Sequence, residues 1–452
     1  MSNQSAAASL RKAATSVFLP EDEGYEEANT TWSLGLGLRP AAVVYPESAD
    51  ELGAVVRTAA DEGLRVTPLG TGHNSFPFAD LDDTVVVRTS RLGQFSIDAE
   101  KRRARVGAGT HWAPVVEVAG GMGLAGMHGT AGDVSIAGYH VGGGLSWVGR
   151  RHGLASSQVT AAELVLPDGS LVRVDADHEP DLFWAVRGGG GNLGIVTALE
   201  FGLLDQPDVY GGFLAWDLTR APEVLTRWLE WSATAPDDVT TIYHHFRFPP
   251  APEVPEPFRG RKLALISGVA LADGARAERI LAPLRELKPE LDTFGGLPST
   301  AVSRIIPQPD GPLPVAGASG LFDALDASAV DKLMAVVGAD VPSSLGMELR
   351  QLGGALGRPD PDGGALNYLD GQYMLFGVGP VFDPAHRPGV QAQADQLLDS
   401  LSEYSRGRKY LSFDLQDSDP SRGYDAAAYE RLVALRRRVD PNGVLRTNHE
   451  IR

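Results

Sequence analysis

The sequence predicts an α+β protein built as two lobes, and three observations carry that reading. Strand-like and helix-like runs alternate from about residue 39 to 204. Longer strands, separated by helices with polar faces, follow to about 415, and a helix ended by a turn closes the chain. The expected organisation is a first lobe at 1–206 and a second at 207–415 whose antiparallel sheet is covered by helices on one face. A C-terminal segment, 416–452, is expected to return to the first lobe. With 452 residues, both lobes can bury sizeable cores.

In order along the first lobe, Ala41–Tyr45 is a short apolar strand. Ser48 then caps a helix with Glu51 as its capping-box partner, and Leu52, Val55, Val56 and Ala59 recur at helical spacing. Val66–Leu69 runs into a glycine-rich turn, and Thr84–Thr89 is a β-branched, buried strand. Phe95–Asp98 with Ala104–Ala108, and Glu163–Leu166 with Leu171–Val174, read as hairpins, the second turned by Pro167-Asp168-Gly169-Ser170. Asp181–Val186 is helical, and the strand Ile195–Phe201 follows a glycine run. In the second lobe the expected strands are Gly212–Leu218, Thr240–Phe248, Lys262–Ala270, Leu345–Leu352, Tyr373–Gly379 and Tyr410–Leu415. The helices between them are Ala221–Ala233, Gly274–Leu287, Ala327–Val337 and Gly389–Leu401. The Pro- and Gly-rich stretches 249–260 and 295–320 read as surface loops. Tyr429–Arg438 is a helix stopped by Asp440-Pro441-Asn442-Gly443.

Composition excludes several classes of function. The 58 acidic and 40 basic side chains give a net charge of −18, which argues against nucleic-acid and anionic-membrane partners. The absence of cysteine excludes disulfides, thiolate metal sites, cysteine nucleophiles and any cysteinyl link to a cofactor. No apolar run approaches the roughly 18 residues of a membrane span. Arg11 and Lys12 interrupt what would be the apolar core of a signal peptide. A soluble, cytoplasmic protein is expected, with no metal site, because the histidines show no ligand spacing.

The run Gly189-Gly190-Gly191-Asn192-Leu193-Gly194 matches G-x-G-x-x-G only formally. A dinucleotide fingerprint needs a strand before the glycines and a helix after them; here the order is reversed. No G-K-[ST] of a phosphate loop occurs either. Three glycine-rich stretches remain, at 68–74 (PLGTGHN), 126–144 and 187–194. Each is either a turn in a glycine-rich protein or a place where bare backbone N–H groups approach a ligand. An acidic protein that held a diphosphate would need such neutral donors.

These motifs together resemble the berberine-bridge-enzyme-like branch of the vanillyl-alcohol-oxidase, or PCMH-type, flavoprotein superfamily. The resemblance rests on Gly72-His73-Asn74, on Gly129–Gly144, on Arg151-His152-Gly153-Leu154 and above all on the unbroken run Asp181–Thr197 (DLFWAVRGGGGNLGIVT). Leu432–Arg438, Asp440-Pro441 and Arg446–Ile451 are similar to the family's C-terminal signature. The resemblance implies a PCMH-type FAD-binding lobe, and a sheet-and-helix substrate lobe over the isoalloxazine ring. It further implies FAD joined through its 8α-methyl carbon to His73. The implied cofactor-binding residues are Pro68, Gly70, Thr71, Gly72 and Asn74 around His73, then Thr130, Asp133, Ser135, Gly138, His140 and Gly143, with Val196 and Asn448. Ala131 stands where relatives with two flavin links carry a cysteine, so a single link is expected. Leu69 and Thr71 replace an Arg and a Gly of the family pattern, and Ser75 replaces a frequent active-site Tyr. Tyr139 occupies a position near the flavin N1–C2=O edge, and Tyr410 keeps one of a tyrosine pair whose other member is Phe413.

Such oxidases transfer a hydride from a carbon bearing oxygen or nitrogen to flavin N5 while a base takes the O–H or N–H proton. Tyr410 is the first candidate for that base and Glu348 another; Glu348 shares a strand face with Arg350, where a plain salt bridge is the alternative. His244 and His245 alternate on one strand, so only one can face the cavity, and His245 is entered as a catalytic candidate alongside Tyr139. The expected function is an FAD-linked oxidase of a hydroxyl- or amine-bearing small molecule, reoxidised by O₂ to give H₂O₂. Carbohydrates and specialised metabolites are the substrate classes. A dehydrogenase of the same fold with another acceptor, and a flavin-containing metabolite-binding or resistance protein, are the competing readings.

Overall fold

The structure is a computed structural model that describes residues 3–252, 254–306 and 311–452. Two small sheets are drawn from residues 17–202. One has four strands in the order Val17–Phe18, Ala42–Val44, Thr84–Arg88, Arg65–Leu69, with parallel pairing among the last three. The other is antiparallel, in the order Phe95–Asp98, Arg103–Gly107, Ile195–Gly202, Val159–Val165, Leu171–Asp175. The helix Ala49–Asp61 covers the first sheet through Leu52, Val55, Val56 and Ala59, all fully buried. Ser48 accepts from the Glu51 N–H at 3.1 Å, whereas the Glu51 carboxylate accepts from the N–H groups of Glu47 and Thr15.

An eight-stranded antiparallel sheet spans residues 208–380. Its long strands run in the order Asp208–Asp217, Lys262–Ala270, Val239–Arg247, Gly346–Gln351, Tyr373–Pro380, Val315–Phe322. Period-2 alternation divides its faces. Trp216, Tyr243, Ile266, Met347, Leu349 and Leu375 point to the helices Ala221–Ser232, Gly274–Arg285, Ala327–Val337 and Arg387–Asp399, with Trp228 at the centre of that core. On the opposite face, Met374 and Leu321 join a cluster that includes Trp112, Leu145 and Phe183 of the small-sheet region. Arg150 ties the two regions together: its guanidinium donates to the carbonyls of Val239 (2.7 Å), Ala235 (2.9 Å) and Leu352.

Two sequence expectations are corrected here. Val315–Phe322, expected within a surface loop, is a strand of the large sheet. Its run of Ala and Gly lets neighbours come close; a Cβ at Gly317 would stand 2.4 Å from the Gly377 carbonyl. Tyr410–Leu415, expected as a strand, is a 3₁₀ turn over Leu411–Phe413. The buried ion pair of Lys409 and Asp414 (2.7 Å) closes it, and the Phe413 N–H donates to the Tyr410 carbonyl.

Trp228 is fully buried and donates from its indole to Thr241 Oγ at 3.0 Å. Trp228→Ala is expected to destabilise the fold by about 3–5 kcal/mol, read as a shifted urea midpoint.

Candidate functional site

The strand Arg65–Leu69 delivers the chain into the turn Gly70–Asn74. Gly72 sits at φ +78°, where a Cβ would lie 2.6 Å from Thr31, so this bend requires glycine. Among the described residues, the backbone N–H groups of Thr71, Gly72, His73 and Asn74 meet no acceptor. His73 is fixed by stacking on Trp32 (centroids 4.5 Å apart) and by a 2.7 Å bond between Nδ1 and Thr71 Oγ1. Its Nε2 is buried without a hydrogen-bond partner, 3.7 Å from Asp133. Asp133 accepts from the Trp32 indole at 3.0 Å, and its carboxyl is held below its usual range chiefly by His73. Asn74 donates to the Leu411 carbonyl and leaves Oδ1 buried and unpartnered; Asn448 donates to the Asn74 carbonyl, each at 2.9 Å.

Of the other residues implied as cofactor-binding, Ser135 abuts Gly70 and donates to the Ala108 carbonyl at 3.0 Å. Gly138 faces open space, since nothing lies within 4 Å of a Cβ placed there. Pro68 lies beside Gly191 of the glycine run, Val196 is on the central strand of the five-stranded sheet, and Thr130 lines a cleft described below. His140 is fully buried, its imidazole packed against Phe201 and Trp112 with Nδ1 bonded to the Ile136 carbonyl and Nε2 buried without a partner.

The turn 410–413 joins this region to the large sheet. Tyr410 is buried, its hydroxyl accepts the Gly144 N–H at 2.9 Å, and its ring touches Gly143. Burial pushes its pKa up to about 12. Ser412 donates to the Gly142 carbonyl at 2.8 Å. Tyr139, edge-on to Trp112, carries a buried hydroxyl with no partner, raised well above the usual phenol range by burial.

On the sheet face turned towards these residues stand His244, Glu348 and Arg350. Both Nε and Nη2 of Arg350 donate to one Glu348 oxygen, at 2.9 and 2.6 Å, and the guanidinium lies 4.7 Å above the Phe413 ring. Glu348 Oε1 faces His244 Nδ1 at 3.7 Å. Burial raises the Glu348 carboxyl, but Arg350 and His244 outweigh it and hold the pKa below the ordinary value. Beside Arg350 a narrow cleft opens, lined also by Gly129, Thr130, Ser146, Trp147 and Thr240.

His245 points the other way. It shares the helix-covered face with Tyr243, bonding to the Tyr243 hydroxyl (2.8 Å) and the Val337 carbonyl, so of the histidine pair it is His244 that adjoins Glu348. Two participants escaped the sequence reading. Trp32 lies in a stretch without periodicity or motif, and nothing in the sequence pairs it with His73. Arg350 was visible as a partner of Glu348 but not as a wall of the cleft.

This fold and site define a class. Residues 40–175 match the family of the FAD binding domain. Superposition with the berberine-bridge-enzyme-like protein 1 of Physcomitrella patens gives a TM-score of 0.87 over 100% of this chain and 99% of that one, at 18% identity. The chain has the fold of the PCMH-type FAD-linked oxidases and carries an FAD-binding domain. In sequence it is similar to the FAD-dependent monooxygenase FUP4 of Fusarium proliferatum, 33% identical over 219 residues (48% of this chain, 42% of that protein). It is likewise similar to the (R)-6-hydroxynicotine oxidase of Paenarthrobacter nicotinovorans, 33% identical over 201 residues, or 44% of either chain. The chain thus spans less than half the length of these curated relatives.

Burial pushes the imidazoles of His140 and His244 down to about 4 and that of His245 to about 3. Each stays neutral in the fold while the unfolded chain binds a proton below its ordinary pKa of 6.5. Stability therefore falls as pH drops from about 6.5 towards 4, by on the order of 1–2 kcal/mol per histidine at pH 5. Urea unfolding at pH 7 and pH 5 measures the difference; equal midpoints would contradict it.

Proposed function

We propose that the protein is an FAD-linked oxidase of a hydroxyl- or amine-bearing small molecule, a carbohydrate or a specialised metabolite. In this reading lobe 1–206 with the tail 416–452 holds the cofactor, and 207–415 supplies the substrate wall. The single observation that carries it is the turn at 70–74. Four backbone N–H groups without an acceptor among the described residues, an unpartnered His73 Nε2 and an unpartnered Asn74 Oδ1 lie in that turn. Such neutral donors suit a diphosphate in a protein of net charge −18, and orphaned buried polar atoms call for a bound polar group. Bound FAD would supply the hydride acceptor and pass the electrons to O₂, giving one H₂O₂ for each substrate oxidised.

The chain's own residues then have separable tasks. His73, held by Trp32 and Thr71, is the attachment point, and with no cysteine in the chain the attachment is single. Tyr410, with its pKa near 12, stays protonated at neutral pH and fixes the Gly144 backbone. Glu348, ionised and with Oε1 free of Arg350, takes the substrate O–H or N–H proton.

After denaturation in SDS and acid, yellow colour and flavin fluorescence are expected to migrate with the polypeptide, and His73→Ala should lose them. A colourless wild type would overturn the cofactor reading. Glu348→Gln is expected to lower kcat by roughly 100-fold or more at unchanged flavin content. An oxygen electrode coupled to peroxide detection gives the stoichiometry, and turnover with an artificial acceptor but without oxygen uptake would replace oxidase by dehydrogenase.

A further inference from the structure

We infer that the cleft beside Arg350 selects a substrate carrying an anionic oxygen group, a carboxylate or an ionised enol or phenol, over one carrying a protonated amine. This deepens the proposed function and rests on its reading of 207–415, with Glu348, as the substrate wall. Among the described residues that line the cleft, Arg350 is the only one with a charged side chain. The carboxylate next to it is already engaged: Arg350 spends Nε and Nη2 on one oxygen of Glu348. Its Nη1 finds no partner among the described residues, and the Phe413 ring beneath the guanidinium holds its plane.

A second donor points the same way. Trp147 lines the same cleft, and its indole N–H is buried without an acceptor. Thr130, Ser146 and Thr240 also line the cleft, with hydroxyls that can donate to a ligand oxygen. Buried N–H donors are satisfied by ligand oxygens, and a guanidinium nitrogen binds an anionic oxygen more strongly than a neutral one. An ammonium group would bring a further donor to the Trp147 N–H and a like charge to Arg350.

Calorimetric titration of the purified holoprotein near neutral pH with benzoate, benzamide and benzylamine tests the inference, with shifts of the visible flavin band as a parallel readout. Benzoate is expected to bind about tenfold or more tighter than its neutral isostere benzamide, and benzylammonium most weakly. Arg350→Gln should erase the preference, and Arg350→Lys should keep part of it, with the charge but not the planar fork. Glu348→Gln should tighten benzoate by releasing Arg350. Benzylammonium binding as well as benzoate, benzoate unchanged in both Arg350 variants, or no heat from millimolar benzoate would each overturn the inference. A colourless protein would defeat the cofactor reading alone, because the calorimetric order of the three probes is read without the flavin band.

Discussion

The geometry of the site depends on one buried amide. Asn192 Oδ1 accepts from Arg436 Nη1 (2.7 Å), Thr447 Oγ1 (2.9 Å) and the Ile451 N–H (3.0 Å), while Nδ2 donates to the carbonyls of Gly189 and His449. Arginine and backbone N–H can only donate and carbonyls only accept, so these partners fix which way the amide faces. The result is a weld between the glycine run Gly188–Gly194 and a segment more than 250 residues further along. Arg436, Arg65 and Glu450 reinforce it, and Val66 pairs with Leu445. Because Asn448 belongs to the welded segment and donates to Asn74, the weld reaches the turn that carries His73. The run Gly188–Gly194 thus owes its meaning to the Asn inside it as well as to the glycines.

Charge is distributed with the same economy. The chain is strongly acidic, yet at the turn 70–74 the donors are neutral amides, and the single cation of the neighbouring cleft is partly neutralised by its own carboxylate. A guanidinium used on two of its three nitrogens keeps its position without losing all of its capacity to bind. Recognition in such a site comes from the direction of a few N–H bonds more than from net potential.

Much of this was legible in the residues themselves, wherever one face of an element meets one core. Lys262–Ala270 and Ala327–Val337 have the bounds their periodicity predicts, because each presents an unbroken apolar face to the helix-and-sheet core. The long motif 181–197 and Gly72-His73-Asn74 carried the resemblance to the PCMH-type fold that the chain has. Legibility failed where long-range partners decide the structure. Val315–Phe322 is poor in β-formers and is a strand only because Tyr373–Pro380 lies beside it. Tyr410–Leu415 alternates like a strand, but the Lys409–Asp414 pair folds it into a turn. His244 and His245 could be told to diverge, but which one faces Glu348 depends on register, and the register brings His244 opposite it.

That turn also explains why two residues with similar claims to a proton take different parts. Tyr410 is buried and Glu348 half-buried beside the same region, and burial alone would favour the neutral form of each. For Glu348 the burial is opposed by a guanidinium bonded twice and by the neighbouring imidazole, so the charged form prevails. For Tyr410 the hydrogen bond comes from a neutral amide, which lowers its pKa too little to offset desolvation. The phenol therefore serves as a fixed hydrogen-bonding post and the carboxylate as the group able to take a proton. Phe413 binds the two assignments together: its ring stacks on Tyr410 at 5.7 Å and supports Arg350 at 4.7 Å. The same turn that sets the phenol against the Gly144 amide thereby sets the cation that keeps Glu348 ionised.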